Sequence, residues 1–476
     1  MDHTSQPHRS PVLACLLARL GDTVVFDGTD SIVSGKLVDW GCDASHAQVP
    51  AAFVLPRTTE EVAAAVRICA ENGVAMVPQG GLTGLLGGAN ALRDAVVINL
   101  ERMRRIEEID PDSLTMTVEA GTTLKAVQDA ATEVGLFYPL DIGGRGSCTI
   151  GGNIATNAGG NRVLRYGMTR DLVLGLEVVL ADGTIVTSMT KMLKNNTGYD
   201  WKQQFIGSEG TLGIVTRAVL KLFPAPRSVE TCLCAVTEFD DTLKLLARAR
   251  SVLSANLSAF EVMWPQFYSD AIKPFAAPPL PAGYGGYVLI ESSGGDPVAD
   301  NAHFAAFLEA CLQDGIIVDA MMPQSQAEVG RIWEVRDRSG EMVRDLRPLC
   351  NYDVSIETSR IGTFTKALEE QLRRHWPSVE MLCFGHLADS NVHIFVRVSD
   401  RPFPQEDIDE VFYAFVRDWN GSISAEIGIG LKKRKFLSYS RSKEELALMR
   451  LMKQALDPED RMNPTKVFLA NIYKPA

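Results

Sequence analysis

The chain has 476 residues, a formal net charge of −12, 46% hydrophobic residues and 22% charged residues. That is longer than one ordinary domain and rich enough in apolar side chains for packed cores. The acidic balance excludes a nucleic-acid surface or an anionic membrane as the main partner, and no run of about eighteen apolar residues exists to span a bilayer.

The opening MDHTSQPHRSPVLACLLARL contains Arg19 within a short apolar run and lacks a signal-peptide layout. The nine cysteines show no paired metal spacing, which fits a reducing compartment. A soluble cytoplasmic protein is expected.

Residues 1–45 read as a helical segment followed by a polar stretch. In PRTTEEVAAAVRICAENG (56–73), Thr58 or Thr59 caps a helix, acidic residues fill its first turn, and Val62, Ala65 and Val66 recur at helical spacing. VAMVP (74–78) follows as a short buried strand. From Pro78 to Pro224 glycine is dense, and β-branched runs alternate with turns: LTMTVEAG (114–121), LVLGLEVVLADG (172–183), EGTLGIVTRAVLKLF (209–223). Ala181-Asp182-Gly183 reads as a hairpin turn. After Pro224-Ala225-Pro226 the texture changes. Strands such as ETCLCAVTEF, with Cys232 and Cys234 at alternate positions, and GGYVLIESSG alternate with helices such as FDDTLKLLARARSVL. A boundary near 225 follows. Residues 421–476 read as helical again, and Lys432-Lys433-Arg434-Lys435 as one solvated helix face.

Two stretches are unusually rich in glycine: VPQGGLTGLLGGAN (77–90) and DIGGRGSCTIGGNIATNAGGNRVLRYG (141–167). Glycine costs backbone entropy, so such density needs a reason. Bare backbone N–H groups can approach a phosphate closely and form an anion nest. Neither stretch has the P-loop pattern, and neither opens a long helix as a Rossmann fingerprint should. A diphosphate-bearing ligand other than a nicotinamide is the reading; composition alone also allows two tight-turn loops.

FGHLADSNVHIFVRV (384–398) reads as strand, turn, strand. A four-residue loop Ala388-Asp389-Ser390-Asn391 would put Leu387 opposite Val392 and His386 opposite His393. Two imidazoles so placed can share a divalent ion. Glu426, in SAEIGIGLKKRK (424–435), lies in a small and apolar run where an unpaired carboxylate is costly to bury. It would be the third ligand. Two histidines and one carboxylate suit Zn, Mn or Fe(II) and leave positions open for a substrate. Taken singly, each histidine reads more readily as a structural residue than as a ligand; the paired spacing makes the two readings about even.

Pro78, Gly80, Gly81, Thr83, Gly84, Gly87 and Gly88 match P-x-G-G-x-T-G-x-x-G-G. CTIGGNIATNAGG (148–160), YGMTRDLVLGLEVVLADG (166–183), KNNTGYD (194–200) and IGSEGTLGIVT (206–216) follow in order. This ordered set resembles the PCMH-type FAD domain of the vanillyl-alcohol-oxidase superfamily. More narrowly, it resembles the group holding D-2-hydroxyglutarate dehydrogenase, D-lactate dehydrogenase and the glycolate oxidase flavoprotein subunit. PLDIGGRGSC (139–148) is most similar to the hydroxyglutarate dehydrogenases.

The resemblance implies an α+β protein. An FAD domain at 46–225 precedes a substrate or cap domain on an antiparallel sheet at 226–420, and a C-terminal helical segment at 421–476 packs back on the FAD domain. It implies that Pro78, Gly80, Gly81, Leu82, Thr83, Gly84 and Leu85, with Ser147, Cys148, Gly151, Gly152, Ala155, Thr156, Asn157 and Gly160, hold the FAD diphosphate and ribityl chain. Glu209, Gly213, Ile214 and Val215 would run along the cofactor, and Asn463 would return to it. The first loop has no histidine, and the spacing at Cys148 does not fit an attachment motif, so noncovalent FAD is expected. His386, His393 and Glu426 become the metal site, with Zn the expected ion, and Arg336, in RIWEVRDRSGEM, the anchor of a substrate carboxylate. A hydroxy acid would give hydride to flavin N5. An external acceptor (electron-transfer flavoprotein, quinone or cytochrome) and a homodimer are further expectations.

Six positions depart from the dehydrogenase pattern. Ile427 stands where those enzymes carry the histidine thought to take the hydroxyl proton. Ala388 and Ser390 replace glycines in G-H-x-G-D-G-N-x-H. Phe395, on the same strand face as His393, should line the same cavity in place of an asparagine. Gly340, one helical turn beyond Arg336, replaces a hydroxyl residue, and Asn351 replaces a lysine. Ala388 and Ser390 should alter the turn and not the ligands, whereas Ile427, Phe395, Gly340 and Asn351, around one expected pocket, predict altered specificity, toward a monocarboxylate with an apolar side chain. An oxidase of a less polar alcohol and a catalytically reduced FAD-binding sensor or assembly protein are the alternatives.

Overall fold

A computed structural model describes residues 10–469. The first sheet holds β1 (Val25–Asp27), β2 (Ala52–Val54), β3 (Met76–Gln79) and β4 (Val96–Asn99) in the order β1-β2-β4-β3, with β4 parallel to both β2 and β3. The helix Thr59–Glu71 begins where the sequence places it: the Thr58 hydroxyl accepts the N–H of Glu61, and Glu60 and Glu61 fill the first turn. That arrangement satisfies a free donor and complements the helix dipole.

The second sheet is antiparallel. It takes β5 (Ile106–Asp110) and β6 (Thr115–Glu119) and, past the short β7 (Leu136–Phe137), β8 (Val173–Val179), β9 (Ile185–Ser188) and β10 (Ile214–Lys221), in the order β5-β6-β10-β8-β9. The short β11 (Phe223–Pro224) pairs with β7. The hairpin at Ala181-Asp182-Gly183 forms as read: Gly183 takes φ +83° between β8 and β9. One apolar core runs between the two sheets, from Val62 and Val66 to Leu176 and Leu220.

A seven-stranded antiparallel sheet follows: β12 (Ser228–Val236), β13 (Leu257–Met263), β14 (Gly286–Gly294), β15 (Asp319–Met321), β16 (Cys350–Ser355), β17 (Glu380–His386) and β18 (Asn391–Arg397). Their spatial order is β15-β12-β14-β13-β17-β18-β16. The helices Phe239–Val252, Pro297–Gln313, Ile361–His375 and Gln405–Asp418 send Leu245, Phe307, Phe364 and Phe412 into the core on one face. On the other, the helices Pro265–Ala271 and Gln326–Asp337 contribute Phe267, Ile332 and Val335. Cover on both faces explains why β12 and β13 read as nearly unbroken apolar runs. Cys232 and Cys234 share one side of β12, their sulfurs 3.5 Å apart and unbridged.

The glycine-rich and seven-stranded regions are locked together by Arg162. Its Nη1 is 2.5 Å from Asp141 Oδ2 and its Nε 3.1 Å from Glu291 Oε1 on β14. Both carboxylates are almost fully buried.

Three expectations need correction here. The helix containing Arg336 stops at Asp337, and Gly340 lies exposed in a separate helix, Ser339–Asp345, so the two do not share a helix face. Residues 421–431 form an irregular loop instead of a helix, and helices resume at Leu437–Ser440 and Lys443–Leu456. The basic run is not one solvated face: Lys432 is exposed, but Lys433 is 2% exposed. No helix among the described residues is long and apolar enough to cross a membrane.

Arg162→Ala strips the cation from two buried carboxylates. We expect it to destabilise the protein by about 3 kcal/mol, read as a lower urea midpoint with unchanged slope; an unchanged midpoint would show that the ion pairs across the two regions contribute nothing net.

Candidate active site

His386 and His393 are brought together, but not as direct cross-strand partners. In the β17–β18 ladder His393 lies opposite Phe384, whereas His386 pairs across the other edge of β17 with Glu261 of β13. The turn takes Leu387–Ser390, one residue earlier than read, through a 3₁₀ turn at Leu387–Asp389. The imidazoles meet diagonally, with ring centroids 5.5 Å apart, which remains within reach on one sheet face. Ser390 adopts φ +73°, the left-handed conformation that glycine takes without penalty. The turn keeps its form with Ala388 and Ser390 in place, but Ser390 carries the strain that a glycine there would avoid.

Glu426 approaches both rings. Its Oε2 is 3.9 Å from His386 Nε2 and 3.7 Å from His393 Nε2, and the three ligand atoms lie within 4.8 Å of one another. These gaps are too long for hydrogen bonds. Ligands about 2.1 Å from a tetrahedral ion would stand roughly 3.4 Å apart, so modest side-chain movement would let one ion bridge all three.

A buried network surrounds this cluster. Glu261 Oε1 is 2.5 Å from His386 Nδ1, and Glu261 Oε2 accepts from Arg336 Nε at 2.8 Å. Arg336 Nη2 is 3.0 Å from His386 Nε2. A guanidinium only donates, so this contact holds the neutral ring with hydrogen on Nδ1, where Glu261 accepts it. Burial lifts the Glu261 pKa, but His386 and Arg336 outweigh it and pull it down to about 2. Burial and Arg336 oppose a second proton on His386, while Glu261 and Glu426 favour one strongly enough to raise its pKa; such a proton would have to displace Arg336. Burial above all depresses His393 to about 3, so its ring is neutral. Burial, with Asp353 and Asp389 adding to it, raises Glu426 to about 7.

The loop carrying Glu426 is fastened at both ends by carboxylates, the buried Asp353 and the half-buried Glu209. Asp353 Oδ2, on β16, accepts the N–H groups of Ala425 and Glu426 at 3.0 Å and of Ile427 at 3.3 Å. Glu209 accepts those of Ile429 at 2.7 Å and Gly430 at 2.8 Å. Gly428, at φ +80°, must be glycine, because a Cβ there would stand 2.8 Å from Glu209 Oε1. Gly159 backs the other side: its Cβ would fall 2.6 Å from Glu426 Oε1. Ile427 is half-buried beside these groups.

The remaining pocket expectations divide. Asn351 faces Phe395 across the β16–β18 ladder and is exposed. Phe395 shares the face of His393, as read, but is 2% exposed and packs edge-on against Phe384, which stacks on His393. It is a core residue rather than an open cavity wall. Glu261, Asp353 and Lys433 were missed by sequence reasoning. The signal that singled out Glu426, an acid within an apolar run, was also present in LSAFEVMW and CNYDVSI.

The two glycine-rich stretches pack on each other. A Cβ at Gly80 would meet Thr149 Oγ1 at 2.3 Å, one at Gly81 would meet Ser147 O at 1.9 Å, and one at Gly160 would meet Asp141 O at 2.2 Å. An open cleft of about 850 Å³ is lined by Gly80, Gly81, Leu82, Ser147 and Thr149 and rimmed by Arg57, Arg102 and Arg104; His386, His393 and Glu426 do not line it. Leu82, Asn157, Glu209 and Asn463 all take left-handed φ, +46° to +58°, a strain that collects at functional positions. Asn463 Nδ2 donates to Gly88 O and Glu209 O, while its buried Oδ1 has no protein partner. Cys148 is 3% exposed, and burial raises its thiol pKa, unlike a reactive thiolate. Bare backbone, a cationic rim and an open acceptor fit a diphosphate-bearing cofactor.

Comparison with known proteins agrees with this geometry. A family described as FAD binding domain matches residues 50–188, and one described as FAD linked oxidases, C-terminal domain, matches 225–467. The chain is 40% identical over 425 residues to a D-2-hydroxyglutarate dehydrogenase of Xanthomonas citri pv. viticola, covering 88% of this chain and 89% of that protein. It is 37% identical over 422 residues to the mitochondrial D-2-hydroxyglutarate dehydrogenase of Bos taurus, covering 87% and 76%. Solved structures share the fold. p-Cresol methylhydroxylase with substrate bound aligns with TM-score 0.75 over 96% of both chains at 16% identity. An alkyldihydroxyacetonephosphate synthase aligns with TM-score 0.74 over 97% and 86% at 18% identity. The chain belongs to the family of FAD-linked oxidases, with a PCMH-type α+β fold. Within that family it is an oxidoreductase similar to the D-2-hydroxyglutarate dehydrogenases.

Gly81→Ala should force the two glycine-rich stretches apart, because the new Cβ meets a backbone oxygen. We expect the purified variant to release several-fold less FAD on acid denaturation than wild type, read from the absorbance of the supernatant; equal FAD would show that the contact between the stretches does not shape the cofactor site.

Proposed function

We propose that this protein oxidises a 2-hydroxy acid, preferring a monocarboxylate with an apolar side chain, and uses noncovalent FAD and one divalent transition metal, with Zn the first choice. The observation that carries the metal reading is the convergence of His386, His393 and Glu426 without direct hydrogen bonds among them. Bound FAD would supply hydride acceptance at N5, and the ion would supply Lewis-acid polarisation.

The chain's own residues set the rest. Glu261 holds hydrogen on His386 Nδ1 and so directs the Nε2 lone pair into the cluster, the usual support for a ligating histidine. His393 is kept neutral by burial and has a lone pair to offer. Arg336 Nη2 must leave His386 Nε2 for that nitrogen to ligate. The freed edge of the guanidinium, beside the cluster, can then hold a carboxylate in the planar geometry arginine favours. Ile427 cannot take a proton. Asn351, exposed on β16, stands where the dehydrogenase pattern has a lysine. A dicarboxylate loses a cationic partner, and an apolar tail loses less.

Elemental analysis of the purified protein should find one transition ion per chain, and His393→Ala should abolish it while FAD is retained; an unchanged metal content would remove the ion from the proposal.

Anaerobic stopped-flow bleaching of the flavin tests the reaction. Loss of a general base costs roughly 10²–10⁴ in rate, so wild type should turn over D-2-hydroxyglutarate poorly, and Ile427→His should accelerate bleaching by D-lactate. Wild type faster on D-2-hydroxyglutarate than on any monocarboxylate would overturn the specificity. Absence of bleaching by any hydroxy acid or alcohol would favour a flavoprotein that binds ligand without oxidising it, a reading that Ile427 motivates.

A further inference from the structure

We infer that Asp353 is a positioning residue of this site: backed by Lys433, it fixes the backbone of Glu426 and thereby sets the affinity for the ion without touching it. The inference rests on the metal reading of His386, His393 and Glu426.

The two histidines and the glutamate are held in different ways. His386 and His393 stand on adjoining strands of a sheet covered on both faces. Glu426 stands on a loop, 424–431, outside regular secondary structure. Something else must fix its geometry, because a ligating group on a mobile loop would have to be ordered each time an ion binds. Asp353 does this. It is 2% exposed and lies directly across the β16–β18 ladder from His393. One oxygen gathers three consecutive N–H groups, those of Ala425, Glu426 and Ile427. The other accepts from Asn391 Nδ2 at 2.7 Å, at the start of the strand that carries His393. One carboxylate thus ties the Glu426 loop to the strand register that places His393.

Asp353 is not itself a ligand. Its nearest approach to His393 is 3.9 Å, to Nδ1, and both its oxygens are already engaged. Lys433 supplies the counter-charge. Its Nζ is 4.0 Å from Asp353 Oδ2 and donates to Asp353 O at 3.2 Å and Ile423 O at 2.8 Å, tying β16 to the start of the same loop.

The test is a Co²⁺ titration of metal-free, FAD-loaded protein, followed by the visible ligand-field band. Asp353→Asn replaces the charged acceptor of the three N–H groups with a neutral amide oxygen, and its NH₂ group meets Asn391 Nδ2 unless that amide flips, so the clamp is weakened. Supporting residues of this kind change metal affinity by roughly 10–100-fold; Asp353→Asn should bind Co²⁺ that much more weakly and with an altered band. Asp353→Asn/Lys433→Met removes both buried charges together and avoids stranding the lysine. It should keep FAD and the wild-type melting temperature better than the single variant while still binding Co²⁺ weakly. Wild-type affinity and band shape in the double variant would overturn the inference. Should either variant fail to fold, hydrogen exchange on metal-free wild type decides: the amides of 425–427 should be protected, and exchange at open-loop rates would overturn it. Glu426→Gln separates the two readings: if Glu426→Gln binds Co²⁺ like wild type, the metal assignment itself fails, whereas weak binding in Glu426→Gln with tight binding in the Asp353 variants rejects only the positioning role.

Discussion

The site depends on one strap of backbone, residues 425–430, held between two carboxylates, the buried Asp353 and the half-buried Glu209. Asp353 grips its first half from the seven-stranded sheet, and Glu209 grips its second half from the glycine-rich region. Each carboxylate is costly to bury alone, and each is satisfied by main-chain N–H groups of the same strap. The strap therefore joins the two halves of the molecule and presents Glu426 at their junction. Gly428 and Gly159 are glycines because a side chain at either place would enter the space these carboxylates need.

Around the strap, charge is arranged as a chain of compensations. Glu261, 1% exposed, is acceptable in β13 because Arg336 and His386 surround it. Lys433, 2% exposed, is acceptable because Asp353 lies beside it. Such networks cost desolvation and rarely add net stability. What they provide here is orientation: Glu261 settles the His386 tautomer, and Asp353 settles the course of the Glu426 loop. The same logic ties the FAD-binding region to the sheet through Asp141, Arg162 and Glu291.

The departures from the dehydrogenase pattern are not equal in physical consequence. Ser390 strains the turn, because it must adopt the left-handed conformation that a glycine takes freely, but it leaves the histidines in place. Gly340 lies exposed on a different helix from Arg336 and bears no contact with it in the helix-face sense first expected. Phe395 is absorbed into a core of Phe384 and its neighbours. Ile427 remains as the departure half-buried beside Glu426, while Asn351 is exposed on β16.

The sequence by itself determined what short-range physics controls. The Thr58 cap, the turn at Gly183, the alternation that puts Cys232 beside Cys234, and the glycine-rich stretches depend on neighbours a few residues away, so their patterns are written locally. The closeness of His386 and His393, though not their register, was legible for the same reason, since one turn joins their strands. Tertiary structure alone decided the rest. Strand periodicity states which face a residue occupies but not which strand lies beside it, so a shifted turn set His393 against Phe384, and His386 found Glu261 across 125 positions of chain. Likewise, a lysine in a basic run looks solvated until the fold closes over it, and Lys433 is buried because Asp353, 80 positions earlier, requires a counter-charge there.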